Sequence, residues 1–511
     1  MSSKKIFTAI SLVSLGTLIS RFFGLGREVV TASFFGTTAI YDAFLLAFMI
    51  PNFFRGLLAE GALNAAFIPV FTEYTTVYKD KNKSLEVFQI CFTISILLTS
   101  ILFILTLLAS YFATSFISES AKWFWVWTLL RFTFPYLIFI SLTALNMGVL
   151  NVYKSFFIPS LSPVVLDIFW VGALFLLMPF MGKTLEEKIF GLCIGVVLGG
   201  FGQFVFTLIP VMKRGYRVKF NFNFKHPAIK KIGRLLAPVI IGMAVGPINL
   251  LIDNSMANLL YEGAVSGLWY STRVYQLPLG IFAISISTAI LPWLSEDISS
   301  KNYEGFDSNL KFSLKLLMFL MLPFTFGLIM LRTEIITFLF SRGLFSSESV
   351  MLAAGPLAYY SLGLAGYGGI SVLIRAFYSC GDTVTPVRIG VLTIFANVCF
   401  NALFMKFLGH NGIALSTSLV GTGNFLLLIY LFNKKHFKIK FEEFGYFILK
   451  VLIVSAIMGF ILLAYKTFLK NSLTLPVLLF SAIIISTLFY LLCFRKAVLK
   501  WVDFYLQRRR V

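Results

Sequence analysis

Four arginines stand in stretches apolar enough to lie in a bilayer. Arg21 and Arg27 occur in Leu18-Ile-Ser-Arg21-Phe-Phe-Gly-Leu-Gly-Arg27-Glu28. Arg55 follows Pro51-Asn52 and precedes Glu60, and Arg273 sits in Tyr270-Ser-Thr-Arg273. A guanidinium at the centre of a membrane helix costs at least about 2.5–3.5 kcal/mol, so such residues face a protein interior or a water-filled cavity. Arginine keeps its charge and presents a planar fork of donors that matches a phosphate. Four of them converging on one cavity would therefore select an anionic, phosphate-bearing substrate. The alternative is that each pairs with a nearby carboxylate, Glu28, Asp42 or Glu60, and only holds helices together.

A second set carries oxygen ligands. Asp253 interrupts an apolar run, Asn397 and Asn401 are four apart and share a helix face, and Thr417 lies on the next span. One carboxylate with amide and hydroxyl oxygens suits a small hard cation such as sodium. Interhelical hydrogen bonding explains the same residues. No P-loop, GxSxG, HExxH or paired metal carboxylates occur, so neither an enzyme nor a transporter driven by ATP bound to this chain is expected. An ion gradient such as sodium, the membrane potential and the substrate gradient are the candidate energy sources, with no other cofactor.

The elements that position these residues are membrane helices. Of 511 residues 58% are hydrophobic and 13% charged, with 58 Phe and a mean hydropathy of +0.89. Soluble domains have about 25% charged residues. The fold class is all-α and polytopic, with about 14 transmembrane helices. Their expected limits are 6–33, 40–75, 86–116, 122–150, 156–181, 188–212, 235–261, 265–295, 309–332, 350–379, 385–408, 412–433, 445–467 and 474–494. Internal Gly, Pro or charge predicts kinks or breaks in spans 1, 2, 7 and 8. The five cysteines are scattered singly, which argues against a zinc, haem or iron–sulfur site.

The net charge of +21 is distributed in short connections. Lys79, Lys81 and Lys83, the run from Lys213 to Arg234, Lys434 to Lys440 and Arg508–Arg510 all fall on one side if the N-terminus is cytoplasmic. That pattern is positive-inside topology, with both termini cytoplasmic, rather than a nucleic-acid face. The initial Met-Ser-Ser-Lys-Lys leads into an apolar run without a small-x-small cleavage site, and reads as the start of the first span.

The chain also resembles itself. Ile68-Pro69-Val-Phe-Thr-Glu73 recurs as Leu291-Pro292-Trp-Leu-Ser-Glu296, and Ser162-Pro163-Val164 as Thr385-Pro386-Val387, both at an offset of 223. Two six-helix lobes, 1–220 and 225–433, follow as a parallel repeat, with 434–511 holding two further helices and a basic tail. Two such lobes around a central cavity suit alternating access.

Several motifs carry a family resemblance over nearly the whole chain. They are Ser20-Arg21-x-x-Gly24-x-x-Arg27-Glu28, Asp42-Ala-Phe, Pro51-Asn52-x-x-Arg55-x-x-x-Ala59-Glu60-Gly61-Ala62, Phe67-x-Pro69 and Glu73-Tyr74. Arg131-Phe-Thr-Phe-Pro135-Tyr136 and Ser341-Arg342-Gly343-x-Phe345 extend them. The chain resembles the MurJ (MviN) family, within the multidrug/oligosaccharidyl-lipid/polysaccharide exporter superfamily. The resemblance implies a flippase for lipid II, the undecaprenyl-diphosphate-linked peptidoglycan precursor, in the inner (cytoplasmic) membrane. It places the essential arginines on Arg21, Arg27, Arg55 and Arg273, with Glu28, Asp42, Asn52 and Glu60 beside them. It places the polyprenyl tail in a groove of the last two helices. It also places a sodium site on Asp253, Asn397, Asn401 and Thr417. Two positions depart from the family pattern: Glu28 is often Asp, and Asn401 stands where a carboxylate is expected. The expected partners are lipid II, membrane lipids and peptidoglycan synthesis enzymes, with no nucleic acid, and the expected state is a monomer. A flippase for another polyprenyl-linked glycan, a drug exporter and a non-transporting scaffold are the alternatives.

Overall fold

The computed structural model describes residues 3–57, 63–78, 80–436, 442–469 and 472–495, with side chains outside 3–14, 63–65, 237–239, 241–242 and 442–444. The described residues form twenty α-helices and no strand. They fall into two compact units.

The first unit holds Met1–Ser266 and Arg342–Phe345. Its helices are α1 (Ser3–Phe35), α2 (Ala39–Arg55), α3 (Leu63–Thr72), α4 (Lys81–Phe116), α5 (Lys122–Thr133), α6 (Tyr136–Val152), α7 (Phe157–Leu176), α8 (Met178–Met181), α9 (Leu185–Lys213), α10 (Pro227–Ala257) and the first turn of α11 (Ala264–Pro278). The unit therefore runs past residue 220, where the sequence repeat ends its first half, because α10 packs on α2, α3 and α4. The second unit continues α11 and adds α12 (Ile284–Ser299), α13 (Tyr303–Met330), α14 (Arg332–Phe340), α15 (Ser347–Leu362), α16 (Leu364–Ser379), α17 (Val384–Leu408), α18 (His410–Lys435), α19 (Glu442–Leu469) and α20 (Leu475–Cys493).

Nine described helices are long and apolar enough to cross a membrane, or eleven spans if each of two bent pairs counts as one. The expected spans 6–33, 40–75 and 235–261 correspond to α1, to α2 with α3, and to α10. The chain is a multi-pass membrane protein. Its outward faces confirm the solvent: on α4, Ile101, Ile104, Leu105, Leu108 and Phe112 recur at helical spacing and are exposed. Only lipid accepts such a stripe without penalty.

Local signals set the helix ends. Asp80 caps α4 by accepting the amide of Lys83 at 3.0 Å. Thr184 and Glu187 form a capping box at α9, each side chain accepting the other's amide. Glycines set the closest crossing. Gly191, Gly195 and Gly199 recur every fourth residue on α9 and face α8 and α7. A Cβ on Gly199 would lie 3.2 Å from the Leu166 Cα, and one on Gly195 would overlap the Ala173 Cβ. Small residues at this spacing let two membrane helices approach backbone to backbone.

Of the four spans expected to kink or break, two are continuous helices, while span 2 is divided into α2 and α3 on either side of residues 58–62, which lie outside the described residues. α1 is continuous through Gly24 and Gly26, and α10 is also continuous. A packed helix tolerates glycine when its neighbours supply the restraint. Span 8 does break its ladder, in a π-helical turn at Leu279–Ala283 after Pro278. The sharp bends are elsewhere, at 46° between α5 and α6 and 47° between α15 and α16. The first falls at Pro135, whose ring cannot accept a preceding helical turn without a kink. The second falls at Gly363, where a Cβ would meet the Ser418 Cα at 2.7 Å.

Candidate functional site

Because α1 is unbroken, six residues at 100° each turn Arg27 about 120° away from Arg21. That angle separates their environments. Gly16, Arg27 and Thr31 lie on the α1 face that meets α7. There the Arg27 guanidinium donates to Glu28 Oε1 at 2.6 Å and to Asp167 Oδ1 at 3.0 Å. It also stacks on Trp170, 4.5 Å from the ring centroid. The Trp170 Nε1 donates to the Thr31 hydroxyl at 2.9 Å, and that hydroxyl donates to the Arg27 carbonyl at 2.7 Å. Glu28 and Asp167 are buried and Arg27 nearly so. One guanidinium thus faces two carboxylates and an indole, a set that holds it in place and compensates its charge.

Arg21 is different. It is half-buried, and among the described residues it makes no ion pair or hydrogen bond. Its charge is available to a ligand.

Arg55 ends α2, where its Nε donates to Asn52 Oδ1 at 2.7 Å. The pair is three residues apart on one face, so the amide oxygen aims the guanidinium. Glu60 lies outside the described residues. In the second unit, Arg273 lies over Trp269 one turn earlier, 3.9 Å from its ring centroid.

Asp42 is fully buried at the start of α2. Its Oδ2 accepts the amide of Gly263 and its Oδ1 that of Ser266, both at 2.8 Å. These amides open α11, whose positive dipole end favours an anion. In return Glu262 Oε1 accepts the amide of Ala39, at the start of α2, at 2.7 Å. Both Asp42 oxygens hold backbone amides, so the residue positions the start of α11.

The sodium candidates divide between the units. Asp253 is buried on α10 in the first. In the second, Asn397 and Asn401 are buried on α17, and Ser416 of α18 donates to Asn397 Oδ1 at 3.3 Å. Thr417 donates to the Ile413 carbonyl at 3.0 Å. Among the described residues no group of three His, Cys, Asp or Glu is placed to hold a metal. The donors on α17 and α18 are neutral oxygens, chemically suited to a monovalent hard cation rather than a transition metal.

Two further charged side chains take their roles from the fold. Asp167 is not adjacent in sequence to any of the arginines; its signal is a lone acid inside an apolar span, three residues before a tryptophan. Arg131, in the motif that ends at Tyr136, binds the far turns of α4. It donates to Ser110 Oγ at 2.7 Å and to Thr114 Oγ1, and stacks on Tyr111. It is a packing residue. The second unit also has a half-open apolar groove of about 370 Å³ between α13, α14, α19 and α20, lined by Phe319, Phe324, Leu328, Met458, Leu462 and Tyr490 among others.

Residues 31–485 match the family model described as lipid II flippase MurJ. The chain belongs to this family. A probable lipid II flippase MurJ of Vibrio cholerae is 38% identical over 441 residues, covering 83% of this chain and 82% of the relative. The lipid II flippase MurJ of Burkholderia cenocepacia is 31% identical over 438 residues, covering 84% of each. Among solved structures, a lipid II flippase MurJ in an inward closed conformation superposes with a TM-score of 0.79 at 29% identity, covering 95% of this chain and 99% of that one. An inward-facing multidrug resistance transporter of the MATE family superposes at 0.65 with 14% identity, covering 84% and 98%. That second likeness concerns the fold alone. Within the MurJ family, the placement of Arg21, Arg27 and Arg55 on α1 and α2 gives the quoted motifs a physical location.

Proposed function

We propose that this chain flips lipid II from the cytoplasmic to the outer leaflet of the bacterial inner membrane, as a transporter rather than an enzyme. Family membership supports the substrate. The observation that carries the mechanism is the unequal state of the two α1 arginines. Arg27 already has two carboxylate partners, whereas Arg21 has none among the described residues. Arg21, with Arg55 and Arg273, is the phosphate-binding group; Arg27, Glu28 and Asp167 set the position of α1. Arg21 would donate to the diphosphate oxygens, and Arg55, aimed by Asn52, would add a second fork. The polyprenyl chain would remain in lipid along the apolar groove of α13, α14, α19 and α20. Two lobes corresponding to 1–220 and 225–433 would rock in alternating access, with both termini cytoplasmic and the chain acting as a monomer. Association with peptidoglycan synthesis enzymes would deliver the substrate.

Lipid II binding to purified protein tests this reading. Arg21→Ala is expected to weaken binding at least tenfold, the loss of roughly one charge-assisted contact of 1.5–3 kcal/mol, without lowering the melting temperature. Binding equal to wild type would remove Arg21 from the substrate site.

Sodium coupling belongs to the same proposal, with Asn397, Asn401 and Thr417 supplying neutral oxygens and Asp253 the carboxylate. The membrane potential is the other driving force. Flipping in proteoliposomes is expected to slow when sodium is replaced by choline at constant potential. An unchanged rate would take sodium out of the scheme.

A further inference from the structure

The connection between α9 and α10 is not an ordinary solvated loop. Residues 216–223 form neither helix nor strand and are hydrogen-bonded along α4. Lys81 Nζ donates to the Arg214 carbonyl, Gln89 Nε2 to the Arg217 carbonyl at 3.1 Å, and the Asn221 amide to Thr93 Oγ1 at 2.9 Å. The chain then turns back, and Asn223 Nδ2 donates to Glu86 Oε1 at 2.9 Å. Its base is fixed by Tyr216, fully buried against Phe71 and Phe88 and hydrogen-bonded to Ser84 and Tyr153. This strap is therefore held at four levels of α4, yet its apolar side chains are not covered. Val218, Phe220, Phe222 and Phe224 are 39, 55, 64 and 45% exposed. Arg217, Lys219 and Lys225 alternate with them and are also exposed.

The height of the strap identifies what meets these rings. α4 has 36 residues, about 54 Å at 1.5 Å per residue, well beyond the ~30 Å of hydrocarbon. About twenty residues counted back from its end at Phe116 bring the hydrocarbon edge near Ile96. Asn221 is bonded to Thr93, one turn short of that edge, and Phe220 packs on Phe92 with centroids 6.3 Å apart. The strap thus reaches the level of the headgroups. Aromatic rings favour that level, and lysine and arginine there attract anionic lipid at about 1 kcal/mol each.

We propose that residues 217–225 form an interfacial anchor that inserts Phe220 and Phe222 at the acyl boundary and binds anionic phospholipid headgroups through Arg217, Lys219 and Lys225. The anchor fixes the chain between α9 and α10 to the leaflet. This inference rests on the cytoplasmic placement of that connection and not on the identity of the transported lipid.

The full-length protein in nanodiscs tests it. In Phe222→Trp, lipids brominated at the top of the acyl chain are expected to quench the added indole above the wild-type background, and aqueous iodide is expected not to. Hydrogen exchange of peptides spanning 217–225 is expected to slow several-fold when phosphatidylglycerol is added to phosphatidylcholine. Arg217→Gln/Lys219→Gln is expected to lose that dependence on charge while keeping the bromine quenching. Iodide quenching without bromine quenching would place the rings in water and overturn the proposal. Exchange indifferent to phosphatidylglycerol would overturn the headgroup assignment. Both readouts come from intact, folded protein and are independent of whether lipid II is transported.

Discussion

Arg27→Ala is expected to lose fold stability and transport together, whereas Arg21→Ala loses transport alone. The difference follows from what each side chain leaves behind. Removing Arg27 takes from Glu28 and Asp167, both buried, their shared cation, and strips a guanidinium from the face of Trp170. Breaking one side of a buried ion pair costs about 3–5 kcal/mol. The α1–α7 crossing is held in the same place, so α1 itself should loosen. Arg27→Lys keeps a charge but has no second arm, and should recover only part of the loss. A double-mutant cycle of Arg27→Ala with Asp167→Asn isolates the pair. The double variant is expected to be more stable than Arg27→Ala alone, since one buried charge is gone. Thermal unfolding of the purified variants measures the first effect and lipid II flipping the second. A melting temperature for Arg27→Ala equal to wild type would mean that the cluster does not position α1.

The membrane helices were legible because the signal is long and one-sided. The span expected at 412–433 is α18 at His410–Lys435, and that at 86–116 is α4, begun five residues earlier by Asp80. Helix breaks were less legible. Glycine and charge in span 1 suggest a kink or break near Gly24 and Gly26, but α1 is continuous there, with α7 packed along it. The sequence shows residue types, whereas packing decides whether a glycine bends a helix or admits a neighbour. On α9 glycine admits one. The arginines of the site were identified by type, but not their unequal partners. Asp167 is 140 residues from Arg27, and only the fold brings the two to 3.0 Å. The same limit applies to Asp42, whose type suggested a ligand contact and whose surroundings make it a helix cap.

Asp42→Ala is expected to unravel the first turn of α11. Two buried amides, those of Gly263 and Ser266, would lose their acceptor at once. Loss of a capping side chain costs about 0.5–2 kcal/mol, and an orphaned buried donor about 1–3 kcal/mol, so a destabilisation of about 2–4 kcal/mol is expected. Asp42→Asn keeps one acceptor oxygen and should lose roughly half as much. Glu262→Ala should lose least, because its bond to the Ala39 amide is exposed and water replaces it. Hydrogen exchange of the 263–267 amides orders the three variants. Exchange in Asp42→Ala as slow as in wild type would show that α11 starts without its cap. The two caps are reciprocal: an acid near the start of α2 holds α11, and an acid just before α11 holds α2. Ala39 and Glu262 are 223 residues apart, the offset at which the chain repeats its proline motifs. The offset aligns Glu262 with Ala39 and Asp42 with Val265, so the two acids are not equivalent positions of the repeat, yet each serves the helix start of the other half. A lone Asp42 reads as a ligand for a cation or a sugar. Paired with Glu262, it reads as one arm of a mutual clamp on two helix starts, which accounts for a buried carboxylate by its two amide donors.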